Sequence, residues 1–128
     1  MASHRLLLLD DEEPILFALE DYFTACGWEV DTARTRADAE ALLAERPYAA
    51  VVADLRLTMD SDVDGLDVLG TVRRRNPDTR TVLLTAYGTH ATELRSHTGD
   101  VDAILQKPQP LAEVARVLER LLQDRPDP

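Results

Sequence analysis

The sequence predicts an α/β fold, a doubly wound parallel sheet of five strands with five helices. Short apolar runs recur along the chain without polar alternation, which marks strands buried on both faces rather than strands with one wet side. Segments of helical period separate these runs, so each strand is followed by a crossover. The 128 residues, 45% of them hydrophobic, suffice for one core and leave no room for a second domain.

The first strand is Arg5 to Leu9. A helix follows from Pro14 to Cys26: proline suits a first turn, Glu12 and Glu13 favour the positive helix end, and Ile15, Leu16, Leu19, Phe23 and Cys26 fall on one stripe. Cys26 is thereby read as a small buried apolar residue, and Gly27 ends the helix. Trp28 to Ala33 reads as the second strand. Thr35 with Asp38 three residues on resembles a capping box opening a helix that carries Leu42 and Leu43 and stops at Pro47. Tyr48 to Ala53 is the third strand, and Leu66, Leu69, Val72 and Arg73 outline a third helix ending near Asn76 and Pro77. Thr81 to Leu84 is the fourth strand. Thr89 to Thr98, with only Ala91 and Leu94 on an apolar face, forms a short and weakly held fourth helix. Val101 to Leu105 supplies the fifth strand, and Leu111, Val114, Ala115, Leu118, Leu121 and Leu122 give the clearest helical period of the chain. The domain therefore spans residues 1–123, with a frayed tail over 124–128. Right-handed crossovers leave few topologies for such a pattern, and the flavodoxin-like order 2-1-3-4-5 is the one expected.

Composition narrows the function. A formal charge of −10 and a pI near 4.6 exclude a grip on nucleic acid or on an anionic membrane, both of which need clustered cations. The partners expected are proteins. The opening apolar run, Leu6 to Leu9, is far too short to span a bilayer, and no signal peptide precedes it, so a cytoplasmic location is expected. The single cysteine cannot form an internal disulfide.

In a doubly wound sheet the ligand crevice lies outside the carboxyl ends of the strands. The residues just past the apolar runs are Asp10 and Asp11, Asp54, Thr85 and Lys107, so all five face one crevice. Lys107 is the sole lysine beside thirteen arginines. A compact ammonium on a flexible stem meets a single phosphoryl or carboxylate oxygen in a way the planar guanidinium fork does not, so the exception points to chemistry. Three carboxylates held about 5 Å apart repel by roughly 3 kcal/mol per pair at an effective dielectric of 20, which a divalent cation relieves. Hard oxygen ligands select Mg²⁺, which binds through one or two carboxylates and a substrate phosphate.

This set, Asp10-Asp11, Asp54, Asp64-Gly65, Thr85-Ala86 and Lys107-Pro108 in order, resembles the receiver domain of two-component response regulators over nearly the whole chain, from Asp10 to about Leu122. The resemblance implies that Asp54 accepts a phosphoryl group from a histidine kinase or phosphotransfer protein. It implies that Asp11 and Asp54 bind Mg²⁺ directly with the backbone carbonyl of Arg56, while Asp10 acts through water. Lys107 would pair with the phosphoryl oxygens, Thr85 would move to hydrogen-bond one of them, and the Lys107–Pro108 peptide would be cis. The implied output is a switch in binding of a downstream protein through the fourth helix, fifth strand and fifth helix, with homodimerisation open. Such a domain assists its own phosphorylation and dephosphorylation without being an enzyme in the ordinary sense.

Departures from the family pattern are specific. Ile104 stands where an aromatic switch residue is usual, and Tyr87, two residues after Thr85, is the candidate substitute; Arg56, two after Asp54, flanks the other side. The loop from Asp54 to Asp64 is about three residues longer than is common, and Thr58 replaces a frequent proline. Its stretch Asp60 to Gly65 matches half a calcium loop, but Thr71 stands where the closing glutamate belongs. His90, Glu93 and His97 read as a solvated face. The altered positions keep open an alternative, a receiver-like interaction module that signals without phosphorylation. A flavin carrier on the same sheet fits poorly, because Asp10-Asp11-Glu12-Glu13 stand where a phosphate would have to sit; a colourless purified protein would close that option.

Overall fold

The computed structural model describes residues 4–10, 12–55, 68–85, 101–106 and 110–123, with the backbone alone at Asp54, Leu55, Thr85 and Gln106. The elements are β1 (Arg5–Leu9), α1 (Glu13–Ala25), β2 (Glu29–Ala33), α2 (Arg36–Glu45), β3 (Ala50–Leu55), α3 (helical over 68–75), β4 (Arg80–Thr85), β5 (Ala103–Gln106) and α4 (Leu111–Gln123). All strand pairs are parallel, in the order β2-β1-β3-β4-β5. This is the expected doubly wound sheet. Among the described residues there are four helices; the fourth of the expected five, Thr89 to Thr98, lies outside them, and α4 corresponds to the expected fifth.

The absence of polar alternation in β1 has a direct structural cause. Leu7 and Leu9 enter one core layer with Val51, Ala53, Leu83 and the buried sides of α2 and α3. Leu6 and Leu8 enter the other, with Val52, Val82, Leu84 and the stripes of α1 and α4. A central strand covered by helices on both faces has no solvent side to make polar. The α4 period predicted from sequence places Val114, Ala115 and Leu118 in the core.

Local chemistry sets the helix ends. Thr35 Oγ1 accepts a hydrogen bond from the Asp38 amide at 3.1 Å and caps α2. Replacing Thr35 with alanine is expected to cost about 1 kcal/mol, the usual worth of such a cap, read as a lower urea midpoint at unchanged slope. At the end of α1 the Gly27 amide bonds to Thr24 O at 3.0 Å and the Trp28 amide to Phe23 O at 3.1 Å, with Gly27 at φ 99°. That pair is a Schellman turn, which needs the left-handed conformation that glycine adopts without a Cβ penalty.

One expectation is corrected here. Cys26 is exposed, not buried on the α1 stripe. The helix ends at Ala25 and the turn at Gly27 reverses the chain. Trp28 then packs edge-on to Phe23, with ring centroids 6.3 Å apart at 90°, in the core layer that the stripe's next turn would have entered.

Two polar clusters brace the sheet. On the edge strand β2, Asp31 accepts the Tyr48 hydroxyl at 2.7 Å and meets Arg46 at 3.4 Å and Arg5 at 3.7 Å, while Arg5 also meets Glu29 at 3.1 Å. Burial first, and then the Asp31 carboxylate, push the Tyr48 phenol well above its ordinary range, so the hydroxyl stays protonated and donating. At the start of β5, Asp102 accepts from Arg73 at 2.8 Å and from the Thr81 amide at 2.8 Å, with Arg80 3.8 Å away. This joins α3, β4 and β5 at the amino-terminal pole of the sheet.

Candidate functional site

The strand register brings the carboxyl ends of the central strands level. Leu9 pairs with Ala53, so Asp10 and Asp54 are the next residues on adjacent strands, whose backbones lie about 4.8 Å apart in any sheet. Leu55 pairs with Thr85, and Thr85 with Gln106, the residue before Lys107. Asp10, Asp54, Thr85 and the exit of β5 are therefore set along one edge of the sheet by backbone pairing alone.

Asp10 is the best defined member. It is only 2% exposed. Its amide donates to Ala33 O at 3.1 Å, fixing the strand end to β2, and its Oδ1 accepts the Glu12 amide at 2.9 Å. Glu12 is the N-cap of α1 and offers no side-chain cap of its own, so the Asp10 carboxylate sits against the positive end of that helix. A carboxylate is costly to bury without compensation, and one backbone donor with a helix dipole offsets part of that cost. Anionic oxygen donors at neighbouring strand ends are the chemistry that a hard divalent cation takes, so the residues present fit Mg²⁺. Among the described residues, no group of three or more acidic, histidine or cysteine side chains could hold a metal.

Asp11, Arg56, Tyr87, Lys107 and Pro108 lie outside the described residues, as does the 60–65 stretch. Ile104 is described: it pairs with Leu83 on the edge strand β5 and is 37% exposed.

Sequence reasoning overlooked Asp102 and used Arg73 only to outline the third helix. The signal was an acid inside the apolar run Val101 to Leu105, where a charged residue is kept only if something pairs with it. It likewise passed over Asp31, the middle residue of β2.

A parallel sheet of this order, with acids just past the ends of two adjacent strands, is a doubly wound α/β domain with a candidate cation site at its carboxyl edge. The chain belongs to the response regulator receiver domain family, whose model matches residues 6–119. It is 39% identical over 117 residues to the photosynthetic apparatus regulatory protein RegA of Cereibacter sphaeroides, covering 91% of this chain and 62% of that protein. It is 36% identical over 121 residues to the transcriptional regulatory protein QseB of Haemophilus influenzae, covering 94% and 53% respectively. The chain thus spans about three-fifths or less of the length of these relatives. Among solved structures, a CheY-like receiver domain from Methanospirillum hungatei JF-1 superimposes with a TM-score of 0.84 at 20% identity, covering 97% of each chain. The receiver domain of NtrX from Brucella abortus does so with a TM-score of 0.81 at 25% identity, covering 93% of this chain and 98% of that one. Among the described residues, no helix is long and apolar enough to cross a membrane.

Proposed function

We propose that this receiver takes a phosphoryl group on Asp54 from a phosphohistidine of a histidine kinase or phosphotransfer protein, and that phosphorylation changes its affinity for a downstream protein. The observation that carries the reading is the buried Asp10 carboxylate, tied to the start of α1 and level with Asp54 on the adjacent strand. The domain is assigned to residues 1–123 and its location to the cytoplasm.

The chemistry follows from the residue types. An Asp54 carboxylate oxygen forms a bond to phosphorus as the bond from phosphorus to the donor imidazole breaks, and the imidazole departs to take up a proton from solvent. No general base is needed, because the carboxylate is already ionised at neutral pH. Asp11 and Asp54, the carbonyl of Arg56, and Asp10 through water would hold Mg²⁺, which when bound neutralises charge on the transferring group. Lys107 supplies the second positive charge against the phosphoryl oxygens, and Thr85 the hydroxyl that hydrogen-bonds one of them once it is in place. Tyr87 and Ile104 are assigned to the accompanying switch, and the segment 89–98, β5 and α4 to the surface it alters.

A protein donor would be met by the exposed surface of α1. Phe17, 69% exposed, stands one turn into α1, with acids at the helical neighbour positions Glu13, Glu20 and Asp21. Phe17→Ala is expected to slow phosphotransfer from a protein donor by about tenfold, as loss of an interface anchor does, while leaving the rate from a small phosphodonor unchanged. Equal slowing with both donors would place Phe17 in the fold rather than the encounter. The reading itself is tested by intact mass after incubation with Mg²⁺ and a small phosphodonor, where one phosphoryl group is expected on the wild type.

A further inference from the structure

At the pole opposite the strand ends that carry Asp10 and Asp54, a cleft of about 250 Å³ is lined by His4, Cys26, Gly27, Trp28, Glu119 and Leu122, with Gln123 at its rim. Nothing in phosphoryl transfer uses it. Glu119 is the one carboxylate and His4 the one basic side chain among its lining residues. Both α1 and α4 end there, through Cys26 and Gly27 on one side and Leu122 and Gln123 on the other, so two negative helix ends converge on one opening. The last turn of α1 contains no basic residue to complement its dipole, and α4 has only Arg120. Glu119 adds a full negative charge, and among the described residues no arginine comes within ion-pair distance of it. The His4 and Trp28 rings, with centroids 5.6 Å apart and tilted by 44°, supply an aromatic wall, and Leu122 an apolar one. A Cβ built on Gly27 would meet nothing within 4 Å, so the backbone there borders open space.

We propose that this cleft binds a small organic cation, an alkylammonium or guanidinium group carried on a short apolar body. The cation faces Glu119 and the two helix ends, and the body lies against Trp28 and Leu122. An anion would meet three negative elements, and a neutral ligand would gain nothing from the carboxylate, which is exposed and hydrated. Volume limits the occupant to a fragment-sized molecule, so affinity in the millimolar range, of order 1 mM, is expected.

Trp28 is the only tryptophan, so its emission reports on the cleft directly. Benzylamine is expected to change Trp28 emission and the Gly27 amide shift saturably. Benzyl alcohol, its neutral counterpart, and benzylamine with Glu119→Gln should each bind about tenfold more weakly, the loss of one charged contact. Glu119 is exposed, so the substitution leaves the fold intact. Equal response to amine and alcohol, equal affinity of wild type and Glu119→Gln, or no saturable change in either signal would overturn the proposal. None of these outcomes bears on phosphorylation of Asp54, which is read separately by mass.

Discussion

Asp54→Asn is expected to abolish the gain of one phosphoryl group that is expected of the wild type after incubation with Mg²⁺ and a small phosphodonor, read by intact mass. An amide oxygen carries no formal charge and is a poor nucleophile, so no bond to phosphorus would form, and the proposed Mg²⁺ set would lose one of its anions. The backbone of Asp54 stays within the ladder, where it pairs with Leu84. Loss of folding therefore does not account for the loss of phosphate, and an unchanged far-ultraviolet dichroism spectrum checks this. A wild type that gains no mass under conditions that phosphorylate another receiver would sink the assignment, and so would an Asp54→Asn protein that gains as much as wild type. If partner affinity is the same for both proteins before and after donor treatment, the interaction does not depend on phosphate.

Asp102→Ala is expected to destabilise the fold by about 3 kcal/mol, the range found when one member of a buried ion pair is removed. The side chains of Asp102, Arg80 and Arg73 are 14%, 15% and 26% exposed, so water replaces little of what is lost. The alanine leaves two guanidinium groups near one another without their shared anion, and leaves the Thr81 amide without its 2.8 Å acceptor. Asp102→Asn, which keeps an acceptor for that amide but not the charge, should cost about half as much. Urea unfolding monitored through Trp28 measures both. A loss below about 1 kcal/mol for alanine would mean that the triad behaves as a surface pair.

The sheet was legible because parallel strands buried on both faces cannot hide their composition. Leu6 to Leu9 divides between two core layers, and that division is the reason the run contains no polar residue. Strand boundaries were less legible. Hydropathy places the third strand at Tyr48 to Ala53, but pairing runs from Ala50 through Leu55, because ladder hydrogen bonds continue past the last apolar residue into Asp54. Tyr48 is buried for a different reason, its hydroxyl being tied to Asp31. Val101 is buried and apolar yet precedes β5, since the backbone there is drawn to Thr81 through Asp102. Cys26 was misplaced because periodicity does not announce where a helix stops.

Of the site, what could be read was position. Once the strand order is known, the residue after each apolar run lies on one edge, and Asp10, Asp54 and Thr85 are there. The anchoring of Asp10 by the Glu12 amide could not be read, because it depends on where α1 begins relative to the strand end. The partners of the polar braces at Asp31 and Asp102 could not be read for a related reason: they are 15 to 29 residues away in sequence.

The interior place of β1 bears on how this protein fails. Four consecutive leucines with high strand propensity are the kind of segment that nucleates amyloid-like assembly when exposed. Here that segment is paired on both sides, by β2 and β3, and its leucines are at most 7% exposed. Fraying of β4 or β5 does not uncover it; detachment of the edge strand β2, or opening of the whole domain, does. Fibril formation by this chain should therefore follow the population of states in which β2 has detached or the whole domain has opened, and a substitution that favours either will shorten shelf life.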